Sequence, residues 1–180
     1  RGVAVFTFNQ RSVAEILQMV RVLGGIVGYP EEAEALAAEL VRGLDRVREQ
    51  AAALPHRPRV YFEEWDEPLI SGIRWVSELV EIAGGQDLFP EFKEASLATG
   101  RMPKAEEVIR RDPELILASW CGKKVRPERI AARPGFDRVS AVKAGRIHEV
   151  KSAIILQPGP AALTDGLAEV HRRIAEAARA

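Results

Sequence analysis

Cysteine is almost absent from this sequence, and Cys121 standing alone excludes an internal disulfide while leaving the redox compartment open. Histidine is nearly as scarce. His56 lies in a proline-rich linker, His148 in a strand-like run and His171 on the last helical stretch, so no pair has metal-ligand spacing. No apolar run approaches the roughly 18 residues that a membrane-spanning helix requires. Arg1 opens directly on a strand-like run, without the charged, apolar and small-residue series of a signal peptide, so the start reads as internal to a longer chain. Neither sign of charge is in excess: Lys plus Arg and Asp plus Glu number 26 each, which removes the global field that would recruit nucleic acid or an anionic membrane. Repeats, low-complexity segments and the phosphate-cradling or nucleophile-elbow patterns GxGxxG, GxxxxGK[ST] and GxSxG are all missing.

What is present is ordinary globular material, 47% hydrophobic and 29% charged, organised around one long helical stretch. In residues 31 to 54 the apolar positions Ala33, Leu36, Ala37, Leu40, Leu44, Val47, Ala51 and Leu54 follow three-and-four spacing. Pro30 precedes the stretch, Glu31, Glu32 and Glu34 suit the positive end of the helix dipole, and Pro55 ends it. At about 1.5 Å per residue such a helix runs roughly 36 Å, enough to serve as a spine between two lobes.

Before the spine, Val3 to Phe8 reads as a strand, and a helix capped by Ser12 carries Val13, Ile16, Leu17, Val20 and Leu23 before Gly24 and Gly25 end it. One strand makes no sheet, so its partners are expected in sequence preceding Arg1. After the spine come a strand at Val60 to Phe62, a loop marked by Pro68 and Gly72, and a helix holding Trp75 in its apolar stripe. Residues 86 to 103 read as a long surface connection. A short helix from Ala105 to Arg111, a strand from Leu115 to Ala118, a short helix from Pro127, a strand from Arg146 to Val150 and a last helix from Ala161 to Ala178 complete the chain. This alternation predicts an α/β fold: a Rossmann-like parallel-sheet lobe over residues 59–180, joined by the long helix (31–54) to the remnant of a second lobe (1–30).

In such sheets ligands bind beyond the carboxyl ends of the strands. Three loops leave that edge, EEWDEP, SWCGKK and KSAIILQPG, and they supply the candidate binding residues Trp65, Asp66, Glu67, Trp120, Cys121, Lys123 and Gln157. Two tryptophans at equivalent strand ends suggest a flat, aromatic-walled pocket, although either could simply cover a sheet end. The acids Glu63, Glu64, Asp66 and Glu67 read as a solvated rim. Glu63 and Glu64 point to opposite faces if the strand persists, so they cannot serve one site. Cys121 reads most simply as a small buried hydrophobe. No nucleophile has an evident activating base, so the residues favour binding over catalysis, and no enzyme activity, metal site or cofactor is expected.

The strand, helix and long connecting helix, followed by VYFEEWDEPLISGIRWVSELVEIAGGQDLF, KAEEVIRRDPELILASWCGKK and AVKAGRIHEVKS, resemble the second half of a helical-backbone substrate-binding protein of an ABC importer. The likeness covers essentially the whole chain, and its Trp-rich rim is closest to the cobalamin-binding branch. It implies a protein that captures cobalamin, haem or an iron-siderophore complex between two lobes and delivers it to a membrane permease. It also implies that most of the first lobe precedes Arg1, and that the protein is periplasmic or extracytoplasmic. It further implies that Glu106, within the E-x-V-x-x-x-x-P segment ending at Pro113, docks on the importer. An enzyme or chelatase-like protein on a related scaffold, and a non-exported corrinoid binder, are the alternatives.

Overall fold

Arg59–Asp66 (β1) is the strand on which the sheet is assembled. In the computed structural model, which describes residues 2–180, its alternate backbone groups face two neighbours. On one side Leu115–Ala118 (β4) runs parallel, with Val60 opposite Leu115 and Glu63 opposite Ala118. On the other, Gln86–Asp87 (β3) pairs parallel with the start of β1, and Leu69–Ser71 (β2) folds back antiparallel on its end. Ile147–Glu149 (β5) pairs parallel with β4 and gives the order β2-β1-β4-β5.

Both faces of the central strands are buried, as their continuous apolar runs require. Val60, Phe62, Leu115 and Leu117 join one hydrophobic cluster, whereas Tyr61, Ile116, Ala118 and Ile147 join the other. The first cluster is covered by Val13–Val27 (α1), Pro30–Ala52 (α2), Arg74–Ile82 (α3) and Leu167–Ala178 (α8). The second lies under Ala105–Arg111 (α4), Pro127–Ala131 (α5) and Ser140–Lys143 (α6). Ser152–Ile155 (α7) follows β5. Trp75 is in the core as its spacing indicated, with its indole N–H donating to the Ile155 carbonyl at 3.0 Å.

Three expectations are corrected. Val3 to Phe8 is not a strand: it pairs with no strand among the described residues and leaves Val3, Val5 and Phe6 exposed, because an extended segment acquires strand structure only from a neighbour's backbone. The first helix does not stop at Gly24. It continues to Val27 and ends on Gly28 in the left-handed conformation (φ 85°), and Gly24 instead lets α2 approach. The connection of residues 86–103 contributes β3, buries Phe89, and sends Arg101 into the body of the protein. The last helix runs to Ala178 as expected, and it contains a π turn, Ala162–Gly166, where Gly166 lies against the Ile154 carbonyl.

The Ser12 cap holds as expected. Its hydroxyl accepts from the Glu15 N–H at 3.2 Å while the Glu15 carboxylate accepts from the Ser12 N–H at 3.1 Å. Glu78 of α3 takes the Val13 N–H at 2.7 Å and so fastens the start of α1 to the sheet-bearing part of the fold.

Candidate functional site

The parallel strands deliver three chain segments to one edge: Trp65 and Asp66 at the end of β1 with the turn Glu67-Pro68 after it, Ser119 to Lys124 after β4, and Val150 to Gln157 after β5. Trp65 is partly exposed, and its indole N–H donates to the Glu67 carbonyl at 3.0 Å, which leaves the ring face as its interacting surface. The Lys123 ammonium lies 4.1 Å from the Trp65 ring centroid and 5.1 Å from that of Trp120, and it donates to Asp66 Oδ1 at 2.5 Å. Arg129 approaches the other Asp66 oxygen at 3.9 Å. Burial works to raise the Asp66 pKa, but the Lys123 hydrogen bond, a backbone N–H and the charges of Lys123 and Arg129 together hold it below the usual carboxylate range.

Trp120 is only 2% exposed, and it turns its ring edge inward rather than presenting a free face. Its indole N–H donates to Glu63 Oε1 at 3.1 Å. Glu63, 0% exposed in the middle of the sheet, also receives both Arg133 terminal nitrogens, with Nη2 to Oε1 at 2.9 Å and Nη1 to Oε2 at 2.5 Å. Burial would lower the Arg133 pKa, yet the Glu63 hydrogen bonds and charge raise it. Burial, and then the neighbouring Glu63 charge, push the Tyr61 hydroxyl well above its ordinary value. This buried pair reaches across the sheet end and holds the segment carrying Trp120 and Lys123.

The acidic cluster is therefore not a solvated rim. Glu63 is buried with Arg133. Glu64, on the opposite face as strand alternation requires, accepts from Arg101 Nη1 at 2.9 Å and Nη2 at 3.2 Å, and from the Ile73 N–H at 2.9 Å. Arg101, itself 2% exposed, also donates to the Ser71 carbonyl. Only Glu67 of the four acids is exposed. The reason is pairing: a buried carboxylate persists where arginines and amides replace its water. Cys121 is likewise corrected, since it is exposed in the turn after Trp120 rather than packed as a small hydrophobe.

Among the expected residues, Trp65, Asp66, Trp120 and Lys123 are thus brought into one cluster. Glu67 contributes its carbonyl, Cys121 flanks the cluster, and Gln157 is exposed in the bend after α7 with no contact to either rim tryptophan among the described hydrogen bonds. Arg129 and Arg133 were missed. The signal available was their density, with Arg126, Arg129 and Arg133 falling within eight positions of a short helix, but nothing local tells which of them turns inward. One concavity of about 430 Å³ lies on the helical side, lined by Val13, Leu17, Leu44 and Ile82, and one of about 490 Å³ lies between the third strand-end segment (Lys151, Ile154) and the last helix (Asp165, Arg172). The strand-end cluster carries the aromatic and charged chemistry, with Trp65 partly exposed and Lys123 exposed at its rim.

The sequence profile of the family described as periplasmic binding protein matches residues 1–154. The chain belongs to the periplasmic binding protein family. No curated protein sequence matches it. Among solved structures, this periplasmic binding protein is similar to a possible iron-binding periplasmic solute-binding protein from Staphylococcus epidermidis ATCC 12228, with 23% identity, a TM-score of 0.82, and coverage of 96% of this chain and 67% of that one. A periplasmic haem-binding protein from Roseiflexus sp. RS-1 shares 20% identity at a TM-score of 0.79, covering 94% and 65%. The periplasmic vitamin B12-binding protein of Vibrio cholerae shares 20% at 0.72, covering 98% and 66%. The chain thus spans about two thirds of the length of these structures, and at such identities the likeness shows the fold. The resemblance drawn from the sequence is borne out at that level.

Proposed function

We propose that this chain forms the spine and one ligand-binding lobe of an ABC-importer substrate-binding protein, which captures a corrinoid such as cobalamin, or a similar metal chelate, and passes it to the permease. In this reading residues 59–180 are the substrate-binding lobe, 31–54 the backbone helix and 1–30 the end of a preceding lobe. The observation that carries it is the Trp65–Lys123–Trp120–Asp66 cluster at the carboxyl edge of a parallel sheet in a periplasmic binding protein. A partly exposed indole beside a lysine at the rim suits a bulky conjugated ligand that a second wall closes over. The rim carboxylates support binding without chemistry, because Glu63, Glu64 and Asp66 are each held by cations instead of poised to move a proton. The iron-, haem- and B12-type names of the similar structures favour the same ligand class, and the family favours an extracytoplasmic location.

Titration of the full chain with cyanocobalamin and with haem, followed by ligand absorbance and tryptophan emission, tests this directly. Trp65→Ala is expected to weaken the bound ligand by about 1–3 kcal/mol, the scale of burying a large apolar side chain. Trp120→Ala is expected to weaken it similarly, through loss of the wall behind Lys123. Unchanged affinity in both variants would remove the rim from the ligand site, and Gln157→Ala serves to place or exclude the third loop.

Glu106 remains the residue proposed to dock on the permease. It is exposed, and among the described residues its carboxylate has no ion-pair partner. Its neighbour Glu107 is tied to Arg110 and Arg111, whose hydrogen bonds hold its pKa at about 2. An unpaired surface carboxylate can meet a cation on a partner, where complementarity fixes register and speeds encounter. Glu106→Ala is expected to leave ligand affinity and the unfolding midpoint unchanged while lowering uptake in proteoliposomes, with a smaller effect from Glu107→Ala. Wild-type uptake by Glu106→Ala would end the docking assignment.

A further inference from the structure

The Trp65 N–H is already committed to the Glu67 carbonyl, and the Lys123 ammonium lies over one face of the Trp65 ring, on the side shared with Trp120. The two ends of the Lys123–Asp66 bond are unequal. The Asp66 side chain is 4% exposed and fixed at the end of β1, whereas the Lys123 side chain is 38% exposed, on a flexible four-carbon stem. A ligand that stacks on this face of Trp65 must therefore move the lysine and leave Asp66 where it is.

Resting on the binding-protein reading of this rim, we infer that Lys123 selects for a ligand bearing an anionic group beside its conjugated ring or metal centre, and that Asp66 is an internal latch which holds the ammonium until such a ligand arrives. An anionic ligand gives the displaced ammonium a new partner, while Arg129, 56% exposed and 3.9 Å from Asp66, is placed to take over the carboxylate. An uncharged ligand of the same shape would strip the ammonium from Asp66 and return nothing to it, leaving a cation against the ligand without an acceptor. Lys124, Arg126 and Arg129 are all exposed on the same segment, and they add positive potential that steers an anion to the rim and fades as salt rises. Asp66 is ionised to play this part, because its cationic partners outweigh its burial. The role of Asp66 is then opposite to that of a ligand contact: it competes with the ligand for the lysine.

The test uses the full chain and matched probes: protohaem against its dimethyl ester, a ferric tris-catecholate against an uncharged ferric tris-hydroxamate, and cyanocobalamin. The wild type is expected to bind the anionic member of a pair more tightly, with an affinity that falls as ionic strength rises. Lys123→Met is expected to weaken the anionic member by roughly tenfold or more, as for the loss of one charge-assisted hydrogen bond, and to leave the uncharged member unchanged or tighter. Asp66→Asn is expected to tighten the anionic member several-fold, and Asp66→Asn with Lys123→Met is expected to bind no better than Lys123→Met alone. Thermal melts establish that each variant is folded, and Lys123→Met, at an exposed position, decides the matter even if Asp66→Asn does not fold. If an uncharged probe or cyanocobalamin binds tightest and ignores Lys123→Met, the selection for an anion is overturned while the rim remains a binding site. If Asp66→Asn folds and loses the anionic probe as Lys123→Met does, the latch is overturned. If no probe binds the wild type, the binding reading fails and this inference falls with it.

Discussion

Replacing Glu63 with alanine is expected to destabilise the protein by about 3 kcal/mol, more than any exposed ion-pair substitution in the molecule, because it strands a partner instead of deleting a contact. The carboxylate is wholly buried and satisfies three donors: the Trp120 indole N–H and the two terminal nitrogens of Arg133. The Arg133 side chain is 17% exposed, so without Glu63 its charge keeps some water but loses its bidentate acceptor. Some relief through that opening places the expected value at the low end of what one-sided removal of a buried pair costs. Urea denaturation with an unchanged slope is the measurement. Glu63→Leu combined with Arg133→Met should recover most of the loss, since a buried pair replaced as a unit leaves no orphaned charge. A loss below about 1 kcal/mol in Glu63→Ala would mean that the pair is solvated in solution. The same variant loosens the turn that carries Lys123, so ligand affinity is expected to fall with stability.

The second large effect is at the crossing of α1 and α2. A Cβ added at Gly24 would lie 2.1 Å from the Ala33 Cβ and 2.8 Å from the Tyr29 carbonyl oxygen. Neither can rotate aside, because one is the first atom of its side chain and the other is backbone. Gly24→Ala is therefore expected to cost about 2–3 kcal/mol through forced separation of the hairpin, toward the upper part of the overpacking range. Gly25 supplies the internal control. Nothing lies within 4 Å of a Cβ built there, and the residue sits in the helix interior, so Gly25→Ala is expected to stabilise by about 0.5–1 kcal/mol. Thermal or urea midpoints of opposite sign for these adjacent glycines would confirm the crossing; equal shifts would refute it.

These two residues show where sequence reading reaches its end. A Gly-Gly pair after an apolar stripe is a helix stop by local rule, and Gly28, three residues further on, fulfils the same rule with its positive φ. What distinguishes Gly24 is Ala33, nine residues away and on another helix. Glu63 is a parallel case. The alternation of β1 correctly placed it on the face opposite Glu64, but whether that face was wet depended on Arg133, seventy residues further along. The candidate rim was legible because parallel topology sends every strand end to one edge, which needs no knowledge of contacts. Within it, Trp120 and Trp65 looked equivalent in sequence and are not: Trp120 is buried with its N–H donated to Glu63, while Trp65 stays partly exposed with its N–H turned to the Glu67 carbonyl.

By itself the sequence determined the alternation of the three central parallel strands with helices, the long amphipathic helix, the Ser12 cap, and the two-sided burial of VYF and LILA. All of these follow from periodicity and short-range backbone chemistry. Val3 to Phe8 marks the limit of that reading, because β-branched and aromatic composition makes a strand possible but only a neighbouring edge makes one form. The tertiary structure alone decided which charges are buried with which, that Arg101 and Arg133 enter the protein from distant segments, and that Lys123 lies over Trp65 held by Asp66. Such pairings join residues tens of positions apart, where the strength of the contact is set by burial and geometry that no local stretch of sequence contains.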